Sequence, residues 1–139
     1  MTDPCGCPPT RAAGSVHHVF LSVGDLARSR EFYGWLMPRL GYPGVHHYEG
    51  MSGWFGEGGS FWIKRATEPG TFSKERVGLC EVAFRAESRA EVDALAGELS
   101  ARGARILDAP REYDYTPGYY AVFFTDPDGI KLELVHIPG

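Results

Sequence analysis

His18, Glu81 and Glu133 can each ligate a divalent cation, and each stands in a stretch where apolar and polar residues alternate. In 15–23, Val19, Leu21 and Val23 share one parity, and His18, Phe20 and Ser22 the other. In 79–86, Val82 and Phe84 oppose Glu81, Ala83 and Arg85, while Glu133 is flanked by Leu132 and Leu134. A period of two turns each of the three polar groups away from the face its apolar neighbours cover. A carboxylate on a poorly hydrated face needs a partner. Two carboxylates and an imidazole facing one another would be relieved by a divalent cation. A structural reading stands beside this one: His18 as a hydrogen-bonded strand residue, Glu133 paired with Arg85 or Lys131, and Glu81 at an exposed strand end. Four other histidines fall outside the set. His17 is expected on the helix side, adjacent to the core. His46 and His47 lie in a Gly-rich, exposed stretch, and His136 shares the parity of Leu134.

The elements that must position these groups follow from the same patterning. After the strand at 15–23, Asp25 is a candidate N-cap for a helix in which Leu26, Ser29, Phe32, Tyr33 and Leu36 recur at helical spacing, with Pro38 marking its end. Short strands are expected at 45–49, 53–57 and 60–65, with Gly58-Gly59 as a hairpin turn. The polar stretch 69–78 links two halves. The second half repeats the order: a strand at 79–86, a capping box in Ser88-Arg89-Ala90-Glu91, a helix with Val92, Leu95, Ala96 and Leu99 as its buried stripe, and Gly103 closing it. Strands follow at 104–107, 119–125 and 130–137, the last two joined by a turn at Asp126-Pro127-Asp128-Gly129. Each half therefore reads strand, helix, three strands. The fold class expected is α+β: two tandem β-α-β-β-β modules, about 15–68 and 77–138, forming a cupped mixed sheet behind a disordered tail at 1–14.

Bulk properties narrow the function classes. With 139 residues the chain has the length of one ordinary domain. Apolar residues at 43% and charged residues at 23% fit a globular protein. A net charge of -4 argues against nucleic-acid binding, which wants a basic face. No apolar run is long enough to span a membrane, and the Pro- and Gly-rich N-terminus reads as no secretory signal. The three cysteines, Cys5, Cys7 and Cys80, read as reduced thiols in a cytoplasmic setting: Cys5 and Cys7 incidental to the tail, Cys80 a small buried residue.

His18-Val19-Phe20-Leu21-Ser22-Val23, followed by Asp25-Leu26, Ser29 and Phe32-Tyr33, resembles the opening of the vicinal oxygen chelate superfamily, which includes glyoxalase I, extradiol dioxygenases, fosfomycin-resistance enzymes and bleomycin-resistance proteins. Val82-Ala83-Phe84-Arg85-Ala86 before a capped helix is similar to its second-half opening, and the stretch from Phe123 to Leu134, with Asp126-Pro127-Asp128-Gly129 inside it, to its last hairpin. The resemblance covers about 16–138 and implies a metal held by one residue each from the first, fifth and eighth strands. These positions are His18, Glu81 and Glu133, with Glu133 expected to be catalytic as well as a ligand. Many members carry a second His where this chain has Glu81. A His with two carboxylates suits Mn²⁺, Fe²⁺ or Mg²⁺ at least as well as Zn²⁺. Trp62 occupies the fourth-strand position that is a Glu in glyoxalase I, and a Trp there offers an apolar wall. Further walls are expected from Phe20, Tyr113, Tyr115 and Tyr119 or Tyr120, with 110–118 as a loop able to cover the site. The function implied is that of a divalent-metal-dependent lyase, isomerase or dioxygenase acting on a small oxygenated organic substrate, as a homodimer. The alternative is a metal-free drug- or metabolite-binding protein of the bleomycin-resistance type.

Overall fold

A computed structural model describes residues 13–139; Cys5 and Cys7 and most of the expected tail lie outside the described residues. The order of elements is β1 (His18–Val23), α1 (Leu26–Arg39), β2 (Gly44–Tyr48), β3 (Met51–Gly56), β4 (Gly59–Arg65), β5 (Val82–Arg85), α2 (Arg89–Ala101), β6 (Ile106–Tyr113), β7 (Tyr119–Thr125) and β8 (Lys131–His136). The fold is α+β and duplicated. One four-stranded sheet runs β1-β4-β3-β2 and the other β5-β8-β7-β6. In each, the strand before the helix pairs in parallel with the last strand of its module, and the remaining pairs are antiparallel.

The caps act as their sequences require. The Asp25 carboxylate accepts the Arg28 N–H at 3.1 Å, and the Ser88 hydroxyl accepts the Glu91 N–H at 3.1 Å. Glu91 reaches back to the N–H of Glu87, one residue before the cap. Helix α1 continues one residue past Pro38, and Gly41 at φ 94° supplies the left-handed step that ends it.

Several boundaries differ from the sequence reading. The β3–β4 hairpin turns at Glu57-Gly58, with Gly59 already opening β4. Strand β5 starts at Val82, so Glu81 and an exposed Cys80 precede it. The stretch read as a loop over 110–118 begins as strand: β6 runs on to Tyr113, with register shifts against β7 between Ile106 and Arg111. Pro110 is tolerated because β6 is an edge strand and its register is already irregular there.

One core unites the two modules. Leu21, Val23, Phe61 and Ile63 of the first sheet, Phe84, Val122, Phe124, Leu132 and Leu134 of the second, and the apolar stripes of both helices form a single buried cluster. Phe61 and Phe84 meet across it with centroids 5.8 Å apart. Each sheet thus has an inner face in the common core and an outer face turned away from it.

Candidate functional site

The outer face of the first sheet carries His18, Phe20 and Trp62, as their parity requires: His18 pairs with Ser60 and Phe20 with Trp62 across β1 and β4. Rings dominate this face. Trp62 lies 6.1 Å from Phe20, 6.2 Å from Tyr48 and 5.2 Å from Phe55. His17 departs from expectation. It precedes β1, is exposed, and turns its ring to His18 with the Nδ1 atoms 3.0 Å apart. His46 stacks against Tyr48 on this face, while His47 bonds the Ser52 hydroxyl at 2.7 Å, and His136 Nδ1 meets the Ala86 carbonyl at 3.2 Å.

The outer face of the second sheet carries both carboxylates. Glu133 faces Ala83 on one side and Phe123 on the other. It is 1% exposed, and its partner is Tyr119, whose hydroxyl donates to Oε2. Burial pushes the Glu133 carboxyl above its ordinary range; the Tyr119 bond opposes this, the charge of Glu81 adds to it, and Lys131 opposes it. The Tyr119 hydroxyl is itself pushed well up, first by burial and then by its bond to Glu133, so it stays a proton donor. Lys131 Nζ stands 3.6 Å from Glu81 Oε2, too far for a hydrogen bond, and that oxygen is buried without one. Lys131 therefore pairs with Glu81 rather than Glu133. Tyr113 and Tyr115 flank Tyr119 with centroids 6.2 and 5.1 Å away.

Tyr120 is turned away from this face. It shares the parity of Val122 and Phe124, packs against the common core, and donates to Asp93 of α2 with the Arg89 guanidinium over its ring. Its neighbour Tyr119 occupies the place beside Glu133. Strand parity decides between two adjacent tyrosines, and the start of β7 sets that parity.

The chain therefore brings Glu81 and Glu133 together and leaves His18 on the outer face of the other sheet. Among the described residues, no three His, Cys, Asp or Glu side chains converge on one point. The Glu81–Glu133 pair has features that suit a cation: a desolvated carboxylate, a second carboxylate with a buried oxygen that accepts no hydrogen bond and, among the described residues, no arginine in an ion pair with either.

A family model for the glyoxalase/bleomycin resistance protein/dioxygenase superfamily matches residues 15–134. The chain belongs to that superfamily. An uncharacterized Bacillus subtilis relative, YqjT, is 40% identical over 124 residues, spanning 86% of this chain and 97% of its own. Among solved structures, a glyoxalase-like protein of Bacillus halodurans superposes with a TM-score of 0.79 at 32% identity, covering 90% of this chain and 97% of that one. FosX, a fosfomycin resistance protein of Listeria monocytogenes, superposes with a TM-score of 0.70 over 91% of this chain and 96% of its own; at 17% identity the likeness is one of fold. The superfamily fold accounts for the duplicated modules and the mixed sheets. It leaves the reaction open, because one scaffold carries several chemistries.

Proposed function

We propose that this chain is a divalent-metal-dependent lyase, isomerase or dioxygenase acting on a small oxygenated organic substrate, with a site completed between two copies. The observation that carries the reading is the Glu81–Glu133 pair: two carboxylates on one face, one nearly solvent-free and the other with a buried oxygen that no donor satisfies. In this proposal His18 of one protomer meets Glu81 and Glu133 of the partner subunit. Within one chain His18 lies on the outer face of the other sheet and no three-residue ligand group forms among the described residues, so a second copy would supply the missing half. Phe20 and Trp62 would line one wall of the composite cup, and Tyr113, Tyr115 and Tyr119 the other.

A bound divalent cation would act as a Lewis acid on substrate oxygens. The chain's own residues would do the rest. Tyr119 holds Glu133 in one orientation by donating to Oε2. Desolvation raises the Glu133 carboxyl above its ordinary range, and the Tyr119 bond and the Lys131 charge oppose that rise. The aromatic walls exclude water and orient the substrate.

A second reading has its own observation. Lys131 already supplies a cation 3.6 Å from Glu81, and such a resident charge would let the cup work as a metal-free binding site. Elemental analysis of untagged protein separates the two. The enzyme reading expects stoichiometric metal that is lost in Glu81→Ala. A wild type that holds no metal, and whose melting temperature does not rise with Mn²⁺, Fe²⁺ or Zn²⁺, would leave the binding module.

A further inference from the structure

The outer face of the first sheet has a floor that a strand pattern does not announce. His46, Gly53, Trp62 and Phe20 form one rung across β2, β3, β4 and β1. The glycine in that rung is the informative member. A Cβ built on Gly53 would meet three adjacent atoms of the Trp62 six-membered ring at 2.5–2.6 Å, nearly equidistant. Equal distances to adjacent ring atoms mean that the indole lies face-down on the Gly53 backbone rather than standing beside it. Any other residue there would lift the ring. The orientation is fixed from a second side, because Trp62 Nε1 donates to the Ser60 hydroxyl at 3.1 Å.

The neighbouring rings extend the plane. Tyr48 is inclined to Trp62 by 22° and Phe20 by 34°, each with centroids about 6 Å away, while Phe55 stands edge-on at 88° as a side wall. A separation near 6 Å at a shallow angle is an offset arrangement, so the rings tile the face instead of covering one another. Phe20 is 45% and Tyr48 54% exposed, a large apolar outlay for a surface that fills no part of the core. A pinned, flat, solvent-facing indole in a ring-paved cup is complementary to a flat π-face.

We propose that this floor is a stacking platform, that the ligand of the cup carries a planar aromatic ring, and that Gly53 sets this specificity by letting Trp62 lie flat. The inference rests on the outer face of the first sheet being the ligand wall proposed above, and it names the class of molecule that wall takes. It needs no metal, which allows it to be tested apart from the metal reading.

The test is calorimetric titration of the full-length protein in EDTA with 1-naphthol and with decahydro-1-naphthol, which has the same skeleton and oxygen but no flat ring. The platform expects 1-naphthol to bind about tenfold more tightly, the scale of one aromatic stacking contact. That preference should vanish in Trp62→Leu and shrink in Gly53→Ala with the indole displaced. Should Gly53→Ala fail to fold, Trp62→Leu alone decides. No detectable binding of 1-naphthol, equal affinity for the two probes, or a preference that survives in Trp62→Leu each overturns the proposal. Metal content, measured separately, would be unaffected by any of these outcomes.

Discussion

Glu133 is nearly free of solvent, yet the donor that satisfies it is a tyrosine hydroxyl rather than a cation of the protein. Two consequences follow from that choice. The carboxylate keeps its charge available for a ligand, and its geometry depends on a group that stays protonated. Tyr119→Phe removes the bond that holds Glu133 in place and down in pKa, so metal affinity is expected to fall about tenfold, the usual effect of removing a supporting contact to a ligand. A competition titration with a chromophoric chelator measures it. At this scale the sequence was partly readable. Alternation in β1 and β8 put His18 and Glu133 on outward parities without any template. Tyr119 against Tyr120 was harder, because the choice turns on one residue of register. Gly53 was invisible: with no side chain, its meaning depends on which residue lies across the sheet.

The elements are fastened to one another by the last hairpin. The Tyr33 hydroxyl of α1 donates to Asp126 at 2.6 Å, and the Gly24 N–H between β1 and α1 donates to both oxygens of Asp128 at 3.1 Å. Asp126 also accepts the backbone N–H groups of Asp128 and Ile130 at 2.8 and 2.9 Å, which shapes the turn. Residues that read as turn formers in the sequence therefore also tie the second module to the first. Burial raises the Asp126 carboxyl above its ordinary value, partly opposed by the Tyr33 bond. The folded state then holds this proton more tightly than the unfolded chain does. Stability from this group is lost as pH rises from about 4, the ordinary Asp value, through the raised folded value. Denaturant titrations across pH should show a smaller decline over that window in Asp126→Asn than in the wild type. Caps and hairpin turns were legible because their chemistry is local. The extended β6 was not, since Pro110 and Gly118 suggest a loop unless the edge position of the strand is known.

At the scale of the molecule, duplication gives two cups' worth of outer face around one core. The repeated strand-helix-strand order made this fold readable over nearly the whole chain. The relative placement of the modules was not readable, because it is set by long-range packing such as Phe61 on Phe84. That packing divides the proposed ligand set: His18 belongs to one outer face, Glu81 and Glu133 to the other. A working site, as proposed, would therefore take its imidazole and its carboxylates from different copies. Mixed dimers of His18→Ala and Glu133→Gln chains, carrying different tags and isolated by sequential affinity steps with the tags then cleaved, test it most directly. Each variant alone has no intact site on this account, whereas the mixed dimer regains one, so metal analysis should find none in either homodimer and about one ion per mixed dimer. Mixed dimers as empty as the parents, beside a wild type that binds metal fully, would contradict it.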